Sequence, residues 1–147
     1  MIELDVLLAE RAITRVLHQY AHAVDRRLYP QIRACYWDDG YDDHTSFSGT
    51  VPDYCAWLEE VLPQVDTSTH QFTNVLIDVD LAAGRATSEA YCLNVTVWGP
   101  RADGTARHLT SALRYLDSWA RRGDEWRILN RRCVSDWRRV EDVVVGD

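Results

Sequence analysis

Apolar residues recur every three or four positions near the start of the chain and every second position from about residue 72 onward. The stretch Glu3 to about Asp25 contains no Gly or Pro. It carries Ile13, Val16, Leu17, Tyr20 and Val24 on one side, with Leu4, Leu7 and Leu8 extending the stripe toward its start, which predicts a long amphipathic helix. Tyr29-Pro30 opens a short second helix, since Pro is tolerated in a first turn. Ile32, Cys35 and Tyr36 give this helix an inner face, and Asp38-Asp39-Gly40 ends it. Tyr41 to Ser48 is expected as the first strand. After the turn Gly49-Thr50-Val51-Pro52-Asp53, either Thr50 or Asp53 can cap a third helix holding Tyr54, Trp57, Leu58, Val61 and Leu62, with Pro63 near its end.

The alternating half reads as strands at Phe72 to Asp80 and Ala86 to Trp98 about a turn at Gly84, then Arg107 to Trp119 and Glu125 to about Trp137. Three hairpins in succession make an antiparallel meander. Helices first and strands later predict an α+β fold, with the sheet curling around the helices to bury its inner face. A length of 147 residues suits one domain, 1–147, with a core of its own.

Charge and cysteine usage exclude several function classes. The net charge of −7 argues against a general nucleic-acid or anionic-membrane binder, both of which want a positive field. No apolar run approaches the ~20 residues of a membrane span. The start Met-Ile-Glu-Leu-Asp lacks the basic-then-apolar order of a secretory signal, so a cytoplasmic address is expected. Cys35, Cys55, Cys92 and Cys133 are scattered, which suits reduced, packed thiols better than a disulfide frame or a zinc site.

Two short segments carry a family resemblance. Ala21 to Phe47 is similar, without a gap, to the corresponding part of the scytalone dehydratases: a small-residue helix end with Asp25, the Arg33-Ala34-Cys35 helix, then Asp43-His44-Thr45-Ser46-Phe47 on the first strand. Asp25 together with His70, in Thr69-His70-Gln71-Phe72-Thr73-Asn74, resembles the Asp/His pair of the hexachlorocyclohexane dehydrochlorinases. Both groups are SnoaL-like, within the nuclear transport factor 2-like superfamily. The resemblance implies a cone-shaped α+β barrel in which a curved, mostly antiparallel sheet wraps the N-terminal helices around a deep pocket. It also implies a homodimer or homotrimer, consistent with strand edges that need covering. The superfamily spans dehydratases, isomerases, cyclases, hydrolases and binding domains, so the fold is implied more firmly than the reaction.

At a helical ~100° per residue, Asp25 falls at the edge of the apolar stripe and can point inward, where an unpaired carboxylate needs a donor. The alternative is a surface aspartate at a helix end, where it opposes the dipole. His70 stands where the third helix gives way to the sheet. Its imidazole, with an ordinary pKa near ~6.5, can accept a proton while a carboxylate on the far nitrogen fixes the tautomer. The alternative is a loop histidine bonded to backbone. His44 occupies the position of a family tyrosine, in Asp-Tyr-x-Ser-Phe, that the resemblance assigns to holding a water assisting departure of hydroxide. Pairing with Asp42 or Asp43 is the other reading, and alternation does not choose between them.

The sequence departs from the dehydratase pattern at two places. Val24 replaces the tyrosine before the family aspartate, and the second family histidine becomes Thr96 or Asn94, with His108 on the adjoining strand as a spatial substitute. Tyr20, Tyr36, Asn74 and Tyr91 are candidates for orienting hydrogen bonds to substrate. One of Arg131 and Arg132 should face inward by alternation, to bind a substrate carboxylate or enolate or to pair with Asp136, Glu141 or a neighbouring subunit. No His-x-His or His-Glu-x-x-His spacing occurs, so neither a metal nor a cofactor is expected. The expected activity is a lyase of dehydratase type acting on a small, largely apolar substrate. An isomerase or cyclase using the same pair, and a small-molecule-binding module lined by some of the six Trp and seven Tyr, are the alternatives.

Overall fold

The computed structural model describes residues 2–144. Helix α1 (Ile2–Asp25) leads to α2 (Tyr29–Ala34), strands β1 (Tyr36–His44) and β2 (Phe47–Thr50), and helix α3 (Val51–Val61), which runs into a 3-10 turn at Leu62–Gln64. Four long strands follow: β3 (Thr67–Asp80), β4 (Arg85–Trp98), β5 (Thr105–Arg122) and β6 (Glu125–Val144). They form a six-stranded curved sheet in the order β2-β1-β6-β5-β4-β3. Every neighbouring pair is antiparallel except β1 and β6, which are parallel. The α+β expectation and the mostly antiparallel cone hold, but the sheet does not close: β2 and β3 remain edges.

The core lies between α1 and the concave face. Ile13, Leu17 and Tyr20 are buried against Ala86, Ala90 and Cys92 of β4, Tyr115 and Trp119 of β5, and Ile128 of β6. Removing a large apolar side chain such as Ile13, Leu17 or Ile128 from water is worth about 1.5–3 kcal/mol. The stripe does not reach the helix start as expected. Leu4, Leu7 and Leu8 are more than half exposed, because Ala9 and Ala12 already lie against the hairpin end at Leu81 and Trp126 and the earlier turns run past it.

Other boundaries move for identifiable reasons. Helix α2 stops at Ala34, and the Cys35 carbonyl accepts the Ile128 N–H at 2.9 Å, which draws Tyr36 straight into parallel register with Ile128. The first strand therefore starts five residues earlier than its pattern suggested, and Asp38-Asp39-Gly40 lies inside it. A bulge between Tyr36 and Tyr41 places Gly40 where a Cβ would stand 2.1 Å from the Leu129 carbonyl oxygen. Thr45 and Ser46 form a hairpin turn, so Phe47 belongs to β2 and not to the strand that carries His44. Of the two possible caps for α3, Thr50 is the one used, accepting the Asp53 N–H. Strand β3 starts at Thr67 and β6 runs to Val144, both well beyond the apolar alternation.

Candidate active site

Helix α1 ends in a way that aims Asp25 at the sheet. The Leu28 N–H reaches back to the Ala23 carbonyl (2.9 Å) and the Arg27 N–H to the Val24 carbonyl (3.1 Å), a Schellman ending with Arg27 in the left-handed conformation at φ 57°. Glycine is usual there, and a side chain is strained. The Arg27 guanidinium offsets this by donating to the carbonyls of Leu62 (3.1 Å), Val65 and Asp66 (3.0 Å). The helix end is thereby tied to the segment entering β3, with Asp25 beside that strand.

On β3, Ser68 and His70 point inward by alternation, and both meet Asp25. The His70 ring donates from Nδ1 to Asp25 Oδ1 at 2.6 Å, the His70 backbone N–H donates to Oδ2 at 2.9 Å, and the Ser68 hydroxyl donates to Oδ1 at 3.0 Å. Burial by itself raises the Asp25 carboxyl, but these bonds from His70 and Ser68 outweigh it and hold the group below its ordinary value. With Nδ1 engaged by Asp25, Nε2 is the ring nitrogen left free of the carboxylate. Asn94, the cross-strand partner of His70, places its amide nitrogen 3.2 Å from Nε2 while donating to the Thr69 carbonyl at 3.3 Å. The Thr96 hydroxyl donates to Asn94 Oδ1 at 3.1 Å, which fixes the amide in that orientation.

His44 stands in a second polar cluster. Its Nδ1 is bonded to Asp42, which is fully buried, and Asp43 takes no part. Tyr36 donates to the other oxygen of Asp42 at 2.9 Å. His44 Nε2 lies 3.4 Å from the Tyr54 hydroxyl and 3.5 Å from that of Tyr20, and these two hydroxyls are 2.5 Å apart. The His44 ring stacks on Tyr54 at 4.9 Å. Burial pushes the Tyr20 and Tyr54 hydroxyls well above the ordinary tyrosine range, so both remain protonated donors.

A cavity of about 380 Å³ joins the two clusters. Tyr20, His44, Tyr54, His70, Asn94 and Thr96 line it together with an apolar wall that includes Val24, Trp57, Leu58, Val61 and Leu113. Exposed Thr45, Ser46, Gln64 and Arg138 also border it. This volume falls in the range of small-molecule sites, about 300–1,000 Å³. Cys133 reaches the cavity, but burial pushes its thiol up to about 12, so it is not a thiolate nucleophile at neutral pH.

Five expected site residues lie elsewhere. Tyr36 is wholly buried beneath the cavity and supports Asp42. Tyr91 is on the outer face of β4, under the Arg114 guanidinium, because the even-numbered residues of that strand face in. Asn74 sits exposed at the β3 bulge with φ 48°, a conformation asparagine tolerates. His108 faces outward beside Glu141 (3.7 Å), since Leu109, Ser111 and Leu113 take the inward positions of β5, and it does not replace the missing histidine. Arg131 is the inward arginine, as alternation required of one of the pair. It is spent on a bidentate contact with Asp117 (2.8 and 2.7 Å) and lies against the rings of Tyr20 and Tyr115, so it does not reach substrate. Sequence reasoning missed Ser68 and Tyr54. Ser68 was accessible in principle, two positions before His70 on one face of a strand; Tyr54 gave only a helical core signal.

Residues 5–132 match the SnoaL-like domain family. The chain is 29% identical over 122 residues to an uncharacterized protein of Mycobacterium tuberculosis (strain ATCC 25618 / H37Rv), covering 81% of this chain and 80% of that one. Among solved structures, a hexachlorocyclohexane dehydrochlorinase of type 2 superposes with a TM-score of 0.82 at 18% identity, covering 95% of this chain and 93% of that one. A scytalone dehydratase-like protein from Novosphingobium aromaticivorans superposes with a TM-score of 0.79 at 18% identity, covering 95% and 91%. At these identities the likeness is one of fold.

Proposed function

Because the chain belongs to the SnoaL-like domain family, we propose that it is a cofactor-independent lyase that eliminates a β-substituent from a small, largely apolar organic substrate. The observation that carries this reading is the 2.6 Å contact between Asp25 Oδ1 and His70 Nδ1 at the wall of a cavity walled largely by apolar side chains. With Nδ1 donating to Asp25, Nε2 is the basic atom. It takes a proton from the carbon next to an activating group such as a carbonyl, and Asp25 stabilises the imidazolium that forms. Asn94, its amide fixed by Thr96 and the Thr69 carbonyl, orients the ring or the bound substrate. On the opposite side His44, through a bound water or directly, assists the leaving group. The fold likeness to a hexachlorocyclohexane dehydrochlorinase and a scytalone dehydratase-like protein agrees with this class.

Proton-transfer catalysis of this kind contributes typically ~10²–10⁴-fold, and the remainder comes from placement of substrate in a dry site. Mass analysis of products tests the reaction type. Elimination lowers the substrate mass by one water or one acid, in wild type and not in Asp25→Asn or His70→Gln. A product of unchanged mass would instead mark proton transfer between carbons, the isomerase or cyclase outcome. Turnover unaffected by either substitution would remove the pair from the mechanism.

A further inference from the structure

Resting on the elimination reading, we propose that Arg138 and Ser111 form a carboxylate-binding subsite at the open end of the cavity, so that the substrate is an apolar body with one carboxylate at the end away from His70. The inference starts from what β6 does after Cys133. Its pairing with β5 passes from Leu113↔Ser135 to Ala112↔Trp137, which leaves Asp136 as an extra residue. Arg131, Cys133 and Ser135 face inward before this bulge, and Arg138 faces inward after it. Unbroken alternation would point Trp137 inward and Arg138 outward. The bulge re-aims the strand, as bulges beside binding sites do, and brings an arginine to the concave face. Strand β1 pairs with β6 only as far as Arg132, so Arg138 stands where the sheet is open on that side.

Register places Arg138 at the end of a row of polar side chains drawn from four strands. His70 pairs with Asn94, Asn94 with Ser111, and Ser111 with Arg138. All four border the cavity. Neighbouring strands lie ~4.8 Å apart, so the row spans roughly 14 Å of sheet, and a ligand touching both ends carries its reacting carbon and its anionic group at opposite ends. Among the described residues that line the cavity, Arg138 is the one Arg, Asp or Glu. The acids of its own strand are engaged by other arginines: Glu125 by Arg127, Asp136 by Arg114 (2.8 Å), Glu141 by Arg139 (2.7 Å) and Asp142 by Arg101 (2.9 Å). Asp25 and Asp42 are engaged by His70 and His44. Ser111 supplies an independent sign of a ligand. It is only 6% exposed, yet its hydroxyl faces the cavity with no hydrogen-bond partner among the described residues, a costly arrangement that a bound acceptor oxygen relieves.

A guanidinium presents a planar fork of donors that matches a carboxylate through two parallel bonds. One guanidinium compensates one negative charge, which suits a carboxylate. A phosphate monoester, at about −1.5 to −2, would leave charge over. Trp57, Leu58, Val61, Leu109 and Leu113 receive the apolar body. Because the chain carries a net charge of −7, its overall field disfavours anions, and a local cation is needed to admit one. The task that alternation assigned to Arg131 thus falls to Arg138. No bond is made or broken at this end of the cavity; the arginine selects and positions the substrate.

Calorimetric titration of the full chain with 4-phenylbutyrate and its neutral amide, 4-phenylbutyramide, tests the subsite without turnover. Wild type is expected to bind the carboxylate about tenfold more tightly, with a preference that shrinks as salt is raised. Arg138→Gln should abolish the preference by weakening the carboxylate alone, and Arg138→Lys should keep part of it. Ser111→Ala should weaken the carboxylate by about fivefold and leave the amide unchanged. Equal affinity of wild type for the two probes, equal loss of both in Arg138→Gln, or binding of neither overturns the proposal. An unchanged carboxylate affinity in Ser111→Ala overturns the part given to that hydroxyl, and tighter binding of 4-phenylbutyl phosphate than of 4-phenylbutyrate overturns the choice of carboxylate. The preference is read in the absence of chemistry and should persist in His70→Gln. The product-mass measurement can therefore fail while the preference holds, and the preference can fail while elimination is observed.

Discussion

Asp25 owes its ionised state to three hydrogen bonds that outweigh its burial, and this has a consequence in acid. A carboxyl whose folded value lies below its unfolded value, about 3.9, contributes stability that is fully present above that pH. The contribution is lost as pH falls through the folded value. In urea denaturation the stability gap between wild type and Asp25→Asn is therefore expected to narrow as pH falls below about 4, and a gap that widens there contradicts the assignment. This pair was legible in the sequence because a short motif at each end named its members. The partner of His44 was left open, although both residues lie on β1 and its period of two puts Asp42, and not the intervening Asp43, on the face of His44. Tyr91 misled for a simpler reason. Aromatic character suggested an inward residue, whereas the alternation of β4 puts Ala86, Ala90 and Cys92 on the inner face and turns the large ring outward.

At the level of elements, the site depends on how β1 is inserted beside β6. Its parallel pairing begins at Tyr36, shifts at a bulge and resumes at Tyr41, and Asp42 and His44 lie just beyond the shift. Gly40 permits the close approach: a Cβ there would stand 2.1 Å from the Leu129 carbonyl oxygen and 2.9 Å from that of Trp37. Gly40→Ala should cost at least about 1–3 kcal/mol, the usual range for overpacking, measured as a lower denaturation midpoint. A midpoint equal to wild type would mean that the bulge is loose. Periodicity announced the four long strands and the three helices, because each buries one face. It did not announce the parallel join. That join is made by the Cys35 carbonyl and Ile128 N–H, backbone groups that leave no trace in side-chain pattern.

The molecule as a whole presents an outer sheet face that is not uniformly polar. Leu93, Ala112 and Trp137 lie in register across β4, β5 and β6, with Leu93 and Trp137 exposed by 39% and 53%. Exposed apolar residues grouped across three strands favour association. We expect self-association by light scattering, weakened by Trp137→Arg, and a monomer at all concentrations would contradict it. The helices-then-sheet order made the architecture readable, but the enclosure of a cavity between them depends on two helices and five strands meeting at once, which no local pattern encodes. Within that cavity the account depends on His70 removing a proton from carbon under the control of Asp25. Deuterium exchange at the α-carbon of butyrophenone, which has no β-leaving group, isolates that act. In heavy water wild type should accelerate exchange well above buffer while Asp25→Asn and His70→Gln do not, whereas exchange equal in all three proteins would contradict the account.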